Sequence, residues 1–188
     1  MKWLRRSERH KPRMVIMTTT LADRTEAAEY YYTYIDQVPQ GEDIRRVLET
    51  QLTDTVNLLS AIPEPRSLHR YAPGKWSIRE VVGHINDTER LFTFRALWFA
   101  RGLDSPLPSF DQDVAMSDAR FDDRSLNDLT DEFRAIRMAT LHLFRSLPDD
   151  AWPKRGIASE KSFTVRALAH ITAGHVTHHV NILRERYL

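Results

Sequence analysis

The sequence contains no cysteine among its 188 residues. It therefore forms no disulfide, offers no thiolate ligand to a metal and carries no thiol nucleophile of its own. Any metal site must use His, Asp or Glu. The chain also has no apolar run of the roughly 18 residues that a membrane span needs, and no signal-peptide-like apolar segment follows its start. We therefore expect a cytoplasmic protein that does not enter a membrane.

An excess of charge of one sign is also missing, since the formal net charge is +1. Residues 1–13 hold six Lys or Arg and one Glu, so 21 basic and 25 acidic residues remain from Met14 onward, formally −4. That acidic remainder argues against a nucleic-acid surface. The basic start could be an interaction arm, or an extension upstream of an alternative start at Met17. We interpret residues 1–16 as such an extension, disordered or upstream of the start, and residues 17–188 as one domain.

Helical periodicity dominates the rest of the chain, and no segment alternates convincingly like a strand. Pro- and Asp-rich connections separate a short helix from four long ones, predicted at about 22–37, 42–61, 77–101, 125–147 and 164–188. Ser77 and Glu80 form a capping box at the start of the third. Residues 102–124 form a long connection, which could lie over a site and cross the bundle. The predicted fold is all-α, an antiparallel four-helix bundle with a short extra N-terminal helix.

Two apolar patterns refine this prediction. In the helix at 125–147, residues spaced alternately three and four positions apart predict the side that packs in the bundle interior. These residues are Leu126, Leu129, Phe133, Ile136, Thr140, Leu143 and Leu147. The helix at 77–101 carries more apolar side chains than one such side needs, namely Leu91, Phe92, Phe94, Leu97, Trp98 and Phe99. Surplus apolar surface is typical of an interface, so we expect a homodimer formed through this helix.

The stretch "HITAGHVTHHVNIL" holds four of the eight histidines. His175 and His179 occupy positions that should be apolar, and their i, i+4 spacing lets both imidazoles reach one point. One helix supplies two ligands to a metal in this way. His84 lies on the inward side of its own helix and could provide a third ligand. Three imidazoles leave coordination positions open, which is typical of catalytic sites.

Other interpretations of these residues stay open at this point. Core histidines are often hydrogen-bonded structural residues, and His178 could replace either member of the pair. His170 points about 140° away from His175, so we expect it at the surface or in a supporting position. Asp87, one turn after His84, could orient a ligand by accepting a hydrogen bond from its second ring nitrogen, or it could be a solvated charge.

Three separated motifs resemble the DinB/YfiT-like superfamily of metal-binding four-helix bundles. The longest stretches are "PGKWSIREVVGHINDTERLFTFRALWFARG" and "FTVRALAHITAGHVTHHVNIL", and the resemblance extends from about Ala28 to Leu188, including "YIDQVPQGEDI" and "SFDQD". It implies that the metal ligands are His84, in a W-S-x-x-E-x-x-x-H segment, and His175 and His179, in an HxxxH segment. It also implies a tendency to dimerise. The basic N-terminal extension is not part of the family pattern.

The resemblance implies a metal-dependent function, since characterised branches of the superfamily include transferases of low-molecular-weight thiols and related isomerases. We therefore expect one divalent ion, Zn or Ni, that activates a small thiol cosubstrate for addition to an electrophilic small molecule. A metal-dependent hydrolase with the same three histidines is the alternative. A third possibility is a metal-binding bundle without catalysis that acts through partners. We expect neither nucleic acid nor membrane as a partner.

Overall fold

The computed structural model describes residues 24–188. The predicted extension at 1–16 lies outside the described residues. Six α-helices follow in chain order: α1 Tyr32–Ile35, α2 Ile44–Ser60, α3 Ile78–Ala100, α4 Gln112–Asp118, α5 Leu126–Ser146 and α6 Val165–Ile182. Strands β1 Arg155–Ala158 and β2 Lys161–Thr164 precede α6, and a π-helical turn, Leu183–Tyr187, extends it. Within this part of the chain, no helix combines the length and apolar character needed to span a membrane.

Helices α2, α3, α5 and α6 form the four-helix bundle, which confirms the predicted fold class. Helices α2 and α3 each pack against both α5 and α6, so α2 and α3 lie at diagonally opposite corners of the bundle. Polar contacts give the directions: Asn86 donates to the Leu129 carbonyl, and Arg137, two turns further along α5, pairs with Glu89. Consecutive helices α3 and α5 therefore run parallel, which corresponds to the crossover at 102–124 that the sequence left open beside antiparallel neighbours. The connection at 102–124 crosses the bundle length between them.

The start of α3 has the predicted capping box. The Ser77 hydroxyl accepts a hydrogen bond from the Glu80 amide at 3.1 Å, and the Glu80 carboxylate accepts one from the Ser77 amide at 2.7 Å. Two otherwise unpaired backbone donors are thus satisfied, which stabilises the first turn. That turn leads directly to His84, whose position along α3 is therefore well determined.

The N-terminal helix is shorter than predicted. Among the described residues it consists of a 3-10 turn, Glu29–Tyr31, followed by the single α-helical turn α1. Glu26 lies before this turn with its carboxylate on the Thr164 hydroxyl at 2.7 Å, and its carbonyl accepts from the Thr164 amide at 2.9 Å. The Glu26 carbonyl thus pairs with the start of α6, and the helical turns begin only at Glu29.

The small antiparallel hairpin of β1 and β2 was not expected from the sequence. Its turn residues, Ser159 and Glu160, have φ values of 50° and 60°. Such left-handed turns usually contain Asn-Gly or Asp-Gly, and that signal is missing here. Leu107 from the long connection pairs with the hairpin edge at Ala158. These backbone contacts, distant in sequence, favour strands that no local pattern predicts.

The buried side of α5 includes five of the seven predicted residues and departs from the prediction at the other two. Arg137 and Phe144 are fully buried, one position after the predicted Ile136 and Leu143, which are only partly buried. An α-helix has 3.6 residues per turn, so a strict seven-residue repeat drifts by about 20° per heptad. The guanidinium of Arg137 is held by the equally buried Glu89 carboxylate at 2.7 Å. A charged pair thus occupies a position where the pattern predicted aliphatic side chains.

Candidate metal centre

Three imidazoles meet between α3 and α6. The Nε2 atoms of His84 and His179 each lie 3.1 Å from Nε2 of His175. Each residue offers a ligand atom within 4.8 Å of the other two. His84 and His175 are buried, and His179 is partly exposed. The structure therefore brings together the three histidines that the sequence singled out, and we call them the histidine trio.

The spacing within the histidine trio fits one divalent ion. Two nitrogens bound to the same zinc at about 2.1 Å, with bond angles between about 90° and 110°, lie roughly 3.0–3.4 Å apart. Burial lowers the pKa of His84 to about 4 and that of His179 to about 3, with a smaller contribution from charge repulsion among the histidines. Burial also lowers the pKa of His175 well below its ordinary value. The rings are therefore neutral near pH 7, the form that binds metals.

A hydroxyl from α3 orients the His175 ring. The Thr88 hydroxyl lies 3.2 Å from Nδ1 of His175, and its own hydrogen points to the His84 carbonyl at 2.7 Å. Asp87, the residue that the sequence favoured for such a role, lies half-buried beside Arg90 at 3.4 Å. Among the described residues it has no hydrogen bond to the trio. This role of Thr88 was not predicted from the sequence, although its i+4 spacing from His84 was a usable signal.

The other two histidines of the C-terminal stretch lie outside the trio. His178 is partly buried, with Nδ1 3.4 Å from the Gln37 amide and its ring 5.4 Å from the Tyr34 ring, measured between centroids. His170 is 5% exposed, and its Nδ1 lies 2.9 Å from the Arg166 carbonyl. Of the two positions expected for His170, the one at the surface is wrong, because the start of α6 is packed against other elements, including α1 and β2.

Two aromatic contacts and a glycine hold the trio in place. The Trp76 ring lies against His84, with centroids 4.9 Å apart, and Phe92 lies 5.7 Å from His175. Gly174 precedes His175, and a Cβ at Gly174 would lie 2.0 Å from the Tyr34 carbonyl oxygen. Only glycine allows this close approach, which brings the Tyr34 ring to 5.2 Å from the His175 ring.

Among the cavities lined by the described residues, two reach the trio, and these two share no lining residue. One, of about 300 Å³, is lined by His179, Trp76 and Tyr187 among others. The second, of about 100 Å³, is lined by His84 and His175 and by tyrosines of the N-terminal segment. We call these the His179 cavity and the Arg95 cavity, since Arg95 also lines the second. The long connection contributes to both, with Asp113 in the first and Gln112 in the second.

Comparisons with known proteins agree with this architecture. The structure is similar to that of YfiT from Bacillus subtilis, described as a probable metal-dependent hydrolase with an unusual four-helix bundle topology. The TM-score is 0.69 at 15% sequence identity, covering 79% of this chain and 88% of YfiT. It is also similar to a mycothiol-dependent maleylpyruvate isomerase, with a TM-score of 0.63 at 12% identity, covering 78% of this chain and 61% of that one.

A search of curated proteins gave no match. The two structural likenesses are too low in sequence identity to show more than the fold. The sequence itself matches the family model of the DinB superfamily over residues 47–183, which include α3, α5, α6 and the whole histidine trio. The chain therefore belongs to the DinB superfamily.

Proposed function

We propose that His84, His175 and His179 bind one divalent ion, zinc or nickel, and that the protein is a metal-dependent enzyme. The observation that carries the proposal is the convergence of three neutral Nε2 atoms beside two cavities. Imidazole ligands suit both metals. When bound, the ion supplies a Lewis acid that lowers the pKa of a coordinated thiol or water. The side of the histidine trio that faces the cavities is free to accept a further ligand, and aromatic rings pack against the other sides of the imidazoles.

The reaction that we favour is transfer of a small thiol to an electrophile. Two separate cavities at one centre fit two substrates, a thiol and an acceptor, better than a single substrate and water. The chain has no cysteine, so a thiol must come from a cosubstrate. The similar isomerase is described as mycothiol-dependent, which supports a thiol in this fold. Both substrates would reach the trio from different sides, since the cavities have no lining residue in common.

Hydrolysis is the second candidate. YfiT, which this chain resembles over most of its length, is described as a probable metal-dependent hydrolase. A hydrolase would use the same trio with water as the nucleophile, and only one of the two cavities would hold its substrate.

The deciding experiment uses protein loaded with cobalt(II), whose visible spectrum reports on its ligands. Addition of mercaptoethanol should produce a new sulfur-to-metal charge-transfer band, and the His175→Ala, His179→Ala double variant should show none. Rates of thiol addition to a generic electrophile and of ester hydrolysis are then compared in the zinc and nickel forms. Absence of the band together with zinc-dependent hydrolysis would favour the hydrolase. Metal binding without either reaction would favour a bundle that acts through partners.

We also propose that two copies associate through α3. Phe92 and Phe99 are buried in the core of the protomer, so the predicted surplus is smaller than expected. Phe94 is 49% exposed and Leu97 is 37% exposed, with Trp98 partly exposed beside them. These three side chains form the α3 apolar patch, and a second copy of the chain would cover it.

A further inference from the structure

Arg95 is a buried cation without a carboxylate partner. Its exposed fraction is 2%, and it forms no ion pair with Asp or Glu among the described residues. Arg137, the other fully buried arginine among the described residues, is paired with Glu89, and the partly buried Arg166 is paired with Glu26. An unpaired buried charge is costly, so proteins normally pair such a group or bind a counter-ion to it.

Only some of the hydrogen-bond donors of the Arg95 guanidinium have partners among the described residues. One terminal nitrogen donates to the Pro108 carbonyl at 3.0 Å and to the Ser159 hydroxyl at 2.9 Å. Its Nε is buried and has no hydrogen-bond partner. The ionisable group facing it is the Tyr31 phenol. Burial raises the pKa of Tyr31, so this phenol is neutral near pH 7 and does not balance the charge of the guanidinium.

The position of Arg95 connects it to the histidine trio. Its side chain lines the Arg95 cavity together with His84 and His175. Arg95 lies eleven residues after His84, about three helical turns, so both face the same side of α3. Their Cα atoms are roughly 16 Å apart along the helix axis, and the arginine side chain leans back toward the trio. A ligand that reached both would be several bonds long.

We propose that Arg95 binds the carboxylate of a small organic acid whose reacting atom lies at the histidine trio. The inference deepens the proposed function and rests on it. Besides the guanidinium, the cavity is lined by the phenols of Tyr31 and Tyr34, which can donate hydrogen bonds to an anion. A single guanidinium in a cavity of about 100 Å³ favours a monoanionic carboxylate over a larger polyanion. The carboxylate could belong to the thiol or to the acceptor.

Binding of paired probes tests this proposal in the metal-loaded protein. Mercapto acids of three and six carbons are compared with mercapto alcohols of the same lengths, using the cobalt(II) spectrum to measure each dissociation constant. Charge-assisted hydrogen bonds should make one of the acids bind about 10- to 100-fold more tightly than its alcohol. A further arm adds hexanoate or hexanol, by calorimetry, to protein with and without mercaptoethanol. Hexanoate binding beside mercaptoethanol would place the carboxylate on the acceptor, and tight binding of mercapto acids alone would place it on the thiol.

Two variants distinguish the effect of the Arg95 charge on binding from any effect of a substitution on the fold. Arg95→Met should abolish the preference for acids while metal content stays unchanged. Arg90→Met makes the same replacement at an exposed position of the same helix, outside the Arg95 cavity, and should keep the preference. If Arg95→Met does not fold, the wild-type comparison still decides, because equal binding of acids and alcohols, including hexanoate and hexanol, overturns the proposal. If no thiol changes the spectrum but hexanoate binds in an Arg95-dependent way, the thiol reaction fails and the carboxylate site stands.

Discussion

The hydroxyl of Thr88 lies 3.2 Å from Nδ1 of His175 and donates its own hydrogen to a backbone carbonyl. Its remaining hydrogen-bonding capacity is as an acceptor, so the proton of the His175 ring is held on Nδ1 and the lone pair on Nε2. That lone pair faces the other two imidazoles. A threonine on α3 thus sets the tautomer of a histidine on α6, a role that supporting residues have in many metal sites.

We predict that Thr88→Val weakens metal binding by about 10- to 100-fold, because the isosteric side chain cannot accept from Nδ1. Titration against a competing chelator measures the affinity. Thr130→Val is the matched control, since the Thr130 hydroxyl is equally buried and donates to the Leu126 carbonyl at 2.7 Å without touching a histidine. Equal affinities for wild type and Thr88→Val would show that the His175 ring needs no such partner.

The contrast between Asp87 and Thr88 shows how far sequence reasoning extends. The i, i+4 histidines and the capping box are local features, so the sequence predicts them well, and it places His84 on the inward side of α3. Whether Asp87 or Thr88, one turn after His84, faces the trio depends on the rotation of α3 about its axis, to within a few tens of degrees. It also depends on which residues pack opposite that part of the helix. A carboxylate was the better chemical expectation, yet the backbone turns Thr88 inward and leaves Asp87 near solvent.

Arg95 was missed for a related reason. An arginine in an apolar helix is expected on the solvated side, and segments distant in sequence, including the hairpin and the long connection, bury it. These two segments contact Arg95 through Ser159 and Pro108. No local sequence pattern predicts either contact, since the hairpin itself lacks the usual turn residues. Long-range contacts therefore account for most of what the sequence did not predict.

Replacement of any member of the histidine trio by alanine should greatly reduce metal affinity. The loss should exceed the roughly 10- to 100-fold cost of losing a supporting partner. Metal content after dialysis measures it, and added metal should raise the melting temperature of wild type but not of the variants. His142→Ala, at an exposed position of α5, is the control. A comparable loss in His178→Ala would show that His178 is a ligand, and full retention by the His175→Ala, His179→Ala double variant would refute the site.

A chain that starts at Met17 should retain its melting temperature and metal content. Every contact described for the trio is made by residues from Tyr34 onward. Exposed terminal segments that do not pack on a domain contribute little to its stability. Thermal denaturation and metal analysis of both chains test this. A melting temperature several degrees lower would mean that the basic segment docks on the bundle.

The α3 apolar patch should hold a homodimer together. Light scattering at tens of micromolar should give twice the protomer mass, and Phe94→Glu should give the protomer mass, because a buried charge opposes association. Metal content should not change, since Phe94 lies outside the histidine trio. Val114→Glu alters another exposed apolar side chain, on α4, and should leave the dimer intact. A wild-type protein of protomer mass would contradict the prediction.

Gly174→Ala should destabilise the protein although alanine is the better helix former. The gain in helix preference is about 1 kcal/mol. Against it, the new Cβ would lie 2.0 Å from the Tyr34 carbonyl oxygen, a backbone atom that no side-chain rotation can move. Overpacking of this kind costs about 1–3 kcal/mol, and displacement of Tyr34 also removes a ring contact of His175. We therefore expect a lower free energy of unfolding in chemical denaturation, together with weaker metal binding. Asn181→Ala, on the exposed side of α6, controls for helix preference: it should raise the free energy of unfolding slightly and leave metal binding unchanged. A Gly174→Ala protein as stable as wild type would mean that the N-terminal segment is free to move away from α6.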